Sequence, residues 1–96
     1  MKESQIERRL VEGVKRLGGM CLKFVSPGTL GVPDRIIITA KGRIIFAELK
    51  ADTGRLAKIQ RYVIGEMQKR GADVRVVKGI DAVKELLAEI ERGDEA

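Results

Sequence analysis

The sequence contains no histidine, no tryptophan and a single cysteine, Cys21. One cysteine cannot form an internal disulfide, and because no histidine is present to activate it, we expect Cys21 to be a buried, unreactive thiol. Zinc sites usually use several cysteine and histidine ligands, and this sequence has one cysteine and no histidine. Any metal centre in this chain therefore has to be built from oxygen ligands, which suit hard divalent cations.

Long apolar runs and aromatic residues are scarce as well. Because no apolar run is long enough to cross a bilayer and no signal-peptide pattern is present, we expect a soluble, intracellular protein with no membrane partner. The aromatic residues are Phe24, Phe46 and Tyr62, fewer than a protein that stacks the bases of single-stranded nucleic acid usually needs. If nucleic acid binds, contacts to its backbone and shape are expected to dominate.

Apolar and basic residues are well represented. Of the 96 residues, 44% are apolar, which is enough for one hydrophobic core, so residues 1–96 are predicted to form a single domain. The net charge is +5, a moderate excess for a domain of this size. This charge is consistent with a polyanionic partner such as nucleic acid.

Hydrophobic periodicity predicts an α/β fold with elements in the order αβββαβα. Runs of β-branched residues indicate strands, and apolar residues at helical spacing indicate amphipathic helices. A small mixed β-sheet with helices on its faces follows from this order. The predicted helices are 3–17, 52–69 and 81–92, the predicted strands are 20–25, 36–38, 44–50 and 72–77, and the tail 93–96 is expected to fray.

The helix starts are predicted from capping residues. Ser4 with Glu7 three residues later fits a capping box, and Asp52 or Thr53 fits the N-cap of the second helix. Glu7 is also in phase with the apolar stripe of its helix, so an inward-facing Glu7 is the alternative. In the second helix the predicted buried stripe is Leu56, Ile59, Val63 and Met67, and Gln60 leans toward the same side.

Asp34 and Glu48 stand where two predicted strands meet. If the strands pair as a hairpin around residues 40–42, the start of one lies beside the end of the other, and the two carboxylates converge with Lys50 beside them. Two carboxylates and an amine suit a hard cation, since Mg²⁺ needs only one or two protein carboxylates together with water and substrate phosphate. Such an ion activates water and offsets charge on a phosphoryl group.

These residues resemble the motif of a known superfamily. Pro33-Asp34 and Glu48-Leu49-Lys50 are similar to the two halves of the PD-(D/E)XK nuclease motif. Within that superfamily the chain looks most like the virus-type replication-repair nuclease (VRR-NUC) group, because of the glycine-rich stretch 28–31, the glutamate at position 48 and Gln60 ten residues after Lys50. Where the group has a Val-Arg-Arg signature, this chain has Val74-Arg75-Val76.

The resemblance implies a restriction-endonuclease-like core and a role for each motif residue. Asp34, Glu48 and the backbone carbonyl of Leu49 are expected to hold one or two Mg²⁺ or Mn²⁺ ions, and Glu7 matches by position a helix-one glutamate that assists. Lys50 is expected to position or deprotonate the attacking water. Gln60 either orients Lys50 or that water, or makes a structural hydrogen bond to the sheet.

DNA contacts are predicted on both sides of the motif. The loop that contains Gly28 and Gly31 is either a plain turn or a place where backbone approaches DNA closely. Arg55 and Lys58 belong to a basic helix face, which is either simply solvated or in contact with DNA phosphates.

The predicted function is a metal-dependent, structure-specific DNA endonuclease. The chain has no room for a sequence-reading domain, so branched DNA such as flaps or four-way (Holliday) junctions is the expected substrate. Symmetric cutting of a junction needs two active sites, which predicts a homodimer. Small stand-alone members of the group resemble junction-directed nucleases of phage origin, which implies a role in DNA repair in the cytoplasm of a bacterial host. The alternatives are a restriction-type endonuclease that reads sequence and a nucleic-acid-binding module without catalysis.

Overall fold

The computed structural model describes residues 1–95, and these form three helices and one four-stranded mixed sheet in the predicted order αβββαβα. We expected residues 93–96 to fray, but the last helix continues to Glu95, and Ala96 lies outside the described residues. The elements are α1 (Glu3–Arg16), β1 (Met20–Lys23), β2 (Arg35–Ile38), β3 (Ile44–Lys50), α2 (Lys58–Lys69), β4 (Val74–Lys78) and α3 (Gly79–Glu95).

The strands follow one another across the sheet in the order β1-β2-β3-β4. β1, β2 and β3 are antiparallel neighbours, and the β2–β3 hairpin turns around Ala40–Gly42 as predicted. β4 pairs parallel with β3, and α2 supplies the crossover that a parallel pair requires. The C-terminal end of β3 therefore lies beside the start of β2 and the C-terminal end of β4, at one end of the sheet.

One face of the sheet is covered by α1 and α3, and the hydrophobic core lies between these helices and the strands. α1 contributes Ile6, Leu10 and Val14, whose spacing of about one helical turn puts them on one side. The strands contribute alternate residues, as a half-covered sheet requires. The remaining core residues are Ile37, Ile45, Ala47, Leu49, Val77, Val83, Leu86 and Ile90.

The opposite face is covered only in part. α2 packs against β4, where Ile64 and Val74 are buried and the side-chain amide of Gln68 donates a 3.0 Å hydrogen bond to the carbonyl of Val74. Across β1, β2 and the start of β3, a group of apolar side chains remains exposed or half-buried. We call this group the uncovered sheet face: it consists of Met20, Leu22, Ile36, Ile38 and Ile44.

The predicted capping box of the first helix and the predicted start of the second helix are wrong. α1 begins at Glu3 as predicted, but its N-cap is Lys2 rather than Ser4, and the side chain of Gln5 rather than Glu7 accepts the N–H of Lys2, at 2.8 Å. α2 begins at Lys58 rather than near Asp52, whose carboxylate lies against Gly79 at the start of α3. In residues 1–95 no helix has both the length and the apolar composition needed to cross a membrane.

The predicted buried stripe of α2 is also wrong in part. Ile59 is 47% exposed, and Leu56 precedes the helix. The inward side consists instead of Gln60, Val63, Ile64 and Met67, of which Ile64 is the one most deeply buried. Ile59 lies in the first turn of α2, where Gly31 of the β1–β2 loop rather than the sheet is its neighbour.

Arg75, the arginine of Val74-Arg75-Val76, ties β4 to α3. Its guanidinium donates hydrogen bonds to both carboxylate oxygens of Glu89, at 3.0 and 2.7 Å, and to both of Asp73, at 2.6 and 3.2 Å. These bonds raise the pKa of Arg75 above its usual value, so the side chain remains charged. In this chain the signature arginine therefore has an intramolecular, structural role.

Cys21 lies half-buried on β1 as a free thiol. Burial is the main reason why the pKa of Cys21 rises to about 11, although Arg35 acts in the opposite direction. The thiol is therefore protonated at neutral pH, where a thiolate would be needed for reactivity.

Candidate active site

The sheet register brings Asp34 and Glu48 together. Arg35 pairs with Ala47 across the β2–β3 hairpin, so the next position places Asp34 opposite Glu48. The carboxylate of Asp34 accepts a 2.9 Å hydrogen bond from the backbone N–H of Leu49. Asp34 is therefore fixed to the end of β3, as the hairpin spacing predicts.

Glu48 is an acidic residue in a buried position. It is 1% exposed, and its Oε2 accepts a 3.0 Å hydrogen bond from the side-chain amide of Gln60. The ammonium of Lys50 lies 3.4 Å from the same oxygen. The other oxygen, Oε1, is buried and has no hydrogen-bond partner among the described residues. Buried polar atoms are nearly always partnered, so this oxygen points to a missing ligand.

The electrostatics of the site indicate a shortage of positive charge. Burial, followed by the negative charge of Asp34, raises the pKa of Glu48 to about 7, and Lys50 offsets only part of this effect. A second acidic residue, Glu3 in the first turn of α1, raises the pKa of Glu48 further. A divalent cation between Asp34 and Glu48 would supply the missing charge, and its oxygen ligands would be those that Mg²⁺ and Mn²⁺ prefer.

In α1, the acidic residue whose charge raises the pKa of Glu48 is Glu3, which the sequence patterns did not single out. The structure places Glu7 against Arg35, with 2.8 Å between Oε2 and Nε. Residues four apart in a helix share a face, so the phase that suggested Glu7 fits Glu3 equally well. Across residues 1–95, no three acidic or cysteine side chains form a preformed metal-binding group. The metal role of Glu7 therefore stays a prediction.

Gln60 links the start of α2 to the acidic pair. Its carbonyl oxygen accepts a 2.9 Å hydrogen bond from the N–H of Ala57, the N-cap residue of α2. Its amide nitrogen is then turned toward Glu48 rather than toward Lys50. The side chain thus makes the structural hydrogen bond to the sheet that was one of the two expectations, and that bond ends on the carboxylate of Glu48.

The predicted DNA-contacting residues lie in the loop before β2 and around the start of α2. Gly31 has φ +90°, and a Cβ there would lie 2.7 Å from the carbonyl oxygen of Ile59, so this glycine is required by the packing of the loop on α2. A Cβ on Gly28 would meet nothing within 4 Å. Arg55 and Lys58 are exposed, and neither forms an ion pair within the described part of the chain.

No family model matches the chain. A solved structure described as a VRR-NUC domain superimposes with a TM-score of 0.84 and 29% identity, and the match covers 92% of this chain and 96% of that one. A protein of Acyrthosiphon pisum secondary endosymbiont phage 1, named "Putative nuclease p44", is 51% identical over 51 residues, which is 53% of this chain. The match spans 55% of that phage protein, about half its length. Together with the fold and the arrangement of Asp34, Glu48 and Lys50, these likenesses support the identification of the chain as a VRR-NUC domain.

Proposed function

We propose that the chain is a metal-dependent endodeoxyribonuclease that hydrolyses phosphodiester bonds in branched DNA and acts as a homodimer. The observation that carries the proposal is the buried carboxylate of Glu48, with one oxygen free, beside Asp34 and Lys50. The likeness to a VRR-NUC domain supports the reaction class, and the phage relative is named as a nuclease.

The residues present fit a Mg²⁺ or Mn²⁺ ion. Asp34, Glu48 and the backbone carbonyl of Leu49 would hold it, and water and substrate phosphate would complete its coordination. Glu3, at the start of α1, is a candidate for a further acidic contact because it already acts on Glu48. When bound, the ion supplies a more acidic water and positive charge against the phosphoryl oxygens.

The side chains of the site have separate tasks in this reaction. Lys50, 16% exposed and held beside Glu48, positions the attacking water and offsets negative charge on the phosphate. Gln60 keeps the carboxylate of Glu48 in one orientation through its amide. The hydrogen bond from the N–H of Leu49 does the same for Asp34. Arg55 and Lys58, which are exposed, contact DNA phosphates next to the site.

Support for a homodimer comes from the uncovered sheet face. Met20 and Ile44 are more than half exposed, and cross-strand pairing through Ile38 places them in one row. The face carries no charged side chain, so it does not suit the phosphate backbone of DNA. A second copy of the same face is apolar as well, and a two-fold axis would bury both together. Two active sites in one particle fit a substrate with two strands to cut.

Cleavage of end-labelled DNA tests the proposal. Four-way junction, flap and plain duplex substrates are incubated with Mg²⁺, with Mn²⁺ and with chelator. The expected result is metal-dependent cutting at the branch points, which Lys50→Ala abolishes. Lys41→Ala, which removes a lysine from the hairpin turn at the other end of β3, is the matched control and is expected to cut normally.

Each other outcome contradicts a specific part of the proposal. Equal cutting of all three DNAs would support the nuclease activity and contradict the preference for branched DNA. Cutting at one sequence regardless of shape would replace it with restriction-type cleavage. If folded protein binds DNA but does not cut it with either metal ion, the chain is a nucleic-acid-binding module rather than a nuclease.

A further inference from the structure

Beside the site lies a second group of exposed apolar side chains, separate from the uncovered sheet face. Leu30 in the β1–β2 loop is 78% exposed, and Tyr62 and Ile59 on α2 are 65% and 47% exposed. We call these three residues the apolar platform. Tyr62, the one tyrosine of the sequence, accordingly has its ring on the surface rather than in the core.

The loop and the helix hold the platform together. Gly31 packs against the backbone and side chain of Ile59, and Thr29 lines a shallow apolar depression together with Tyr62. The backbone of Leu30, which lies between these two loop residues, is therefore close to both platform residues of α2. The positive φ of Gly31 and a 3.2 Å hydrogen bond from the N–H of Thr29 to the carbonyl of Ser26 fix the loop locally.

The platform is close to the chemistry. Leu30 is four residues before Asp34 in sequence, a chain length of at most about 14 Å. On α2, Ile59 is the residue directly before Gln60, whose amide contacts Glu48. When a phosphate of a nucleic acid lies at Asp34 and Glu48, the adjoining nucleotides therefore lie next to the platform.

Charge distinguishes the platform from the uncovered sheet face. On α2 the exposed apolar residues alternate with the basic residues Lys58 and Arg61, neither of which has an ion-pair partner in residues 1–95. An aromatic and aliphatic surface flanked by cations suits a nucleotide, which has an apolar ring face and an anionic phosphate. A second copy of this chain would bring further positive charge toward Lys58 and Arg61.

A base inside an intact duplex does not offer its face to a protein, because its neighbours stack on both sides. At a branch point the terminal pairs have lost one neighbour and some bases are unpaired. Leucine and isoleucine side chains are used as wedges against such steps, and aromatic side chains stack on unpaired bases.

We propose that the apolar platform stacks against an exposed base at a branch point of DNA, with Lys58 and Arg61 on the flanking phosphates, and so provides the preference for branched DNA. This inference rests on the proposed function, since it names the feature by which the same site selects its substrate.

The test places 2-aminopurine, whose fluorescence falls on stacking, as the first unpaired base of a flap. Binding is measured in Ca²⁺ to this flap and to a plain duplex of equal length. Wild-type protein is expected to lower the fluorescence and to prefer the flap. Leu30→Ser and Tyr62→Ser are each expected to weaken flap binding about tenfold, to leave duplex binding unchanged, and to restore the fluorescence. Leu30→Met and Tyr62→Phe keep the apolar contact and are expected to behave as wild type.

The fluorescence measurement needs no cleavage, so it separates the inference from the proposed function. If wild-type protein cuts flaps while the serine variants bind and quench the flap as wild type does, the inference is wrong and the function stands. Equal weakening on flap and duplex would show a general DNA contact and would also overturn it. A change in the mass of the particle would identify the platform as a protein contact instead. Failure of wild type to cut any DNA would overturn the proposed function alone.

Discussion

Gln60 donates a 3.0 Å hydrogen bond to the carboxylate of Glu48 while its carbonyl accepts the N–H at the N-cap of α2. One side chain therefore both starts the crossover helix and orients a buried acidic group. Glu48 belongs to β3 and Gln60 belongs to α2, so this contact fixes the position of the helix relative to the site.

Replacement of Gln60 by alanine is expected to impair cleavage more than stability. The variant loses two hydrogen bonds, and the free energy of unfolding is expected to fall by about 1–2 kcal/mol in urea titration. Gln68→Ala is the matched control, because Gln68 lies on the same helix and donates to a sheet carbonyl outside the site. It should lose about 1 kcal/mol and keep full cleavage. Similar cleavage by both variants would show that orienting Glu48 has no part in the reaction.

The placement of the acidic pair could be predicted because it depends on short-range rules. Alternation along β3 puts Glu48 and Lys50 on one face, and the length of the hairpin fixes which residue of β2 lies opposite. Both follow from a short stretch of sequence around one turn. The structure places Asp34 and Glu48 accordingly.

The start of α2 and the role of helix α1 depend on distant contacts and could not be predicted. Asp52 has a side chain suited to an N-cap, yet it lies against Gly79 at the start of α3. Glu7 and Glu3 share one helix face, and the position of Arg35 on β2 decides that Glu7 forms an ion pair there. Local pattern gives the face of a helix, whereas the partner on another element determines the role of each residue.

The raised pKa of Glu48 predicts that metal-free protein loses stability as the pH rises. The folded state holds the proton up to about pH 7, while a glutamate in the unfolded chain releases it near its ordinary pKa of 4.5. The stabilising contribution is therefore fully present below about pH 4.5 and is lost as the pH rises through about 7. Thermal unfolding between about pH 5 and 8 in chelator should show Tm falling more steeply for wild type than for Glu48→Gln. Parallel curves would contradict the shift.

Glycines 28 and 31 are expected to differ sharply when each is replaced by alanine. Gly31→Ala introduces a Cβ at a positive φ and against the backbone of Ile59, so Tm should fall and the loop should lose its fixed position. Gly28→Ala meets open space and should fold normally. If Gly28→Ala nevertheless weakens DNA binding, the loop backbone approaches DNA at that point. Equal Tm values for the two variants would contradict the close packing of the loop on α2.

The uncovered sheet face predicts that a charge at Leu22 separates the dimer. Leu22 lies on β1 at the edge of the sheet, and Leu22→Glu would place a carboxylate in the proposed apolar contact. Sedimentation should give a dimer of the 10.6 kDa chain for wild type and for Lys23→Glu, whose side chain points to the other side of β1, and a monomer for Leu22→Glu.

The same pair of variants connects assembly to the reaction. On a supercoiled plasmid with an extruded four-way junction, a dimer is expected to cut both strands in one binding event and yield linear DNA. A monomer cuts one strand, the cut relaxes the plasmid, and the junction is reabsorbed before a second enzyme arrives, so nicked circles accumulate. Leu22→Glu should therefore shift the product from linear to nicked, while Lys23→Glu should not. A wild-type monomer, or linear product from a monomeric variant, would rule out the paired-site arrangement, because one active site would then suffice for both strands.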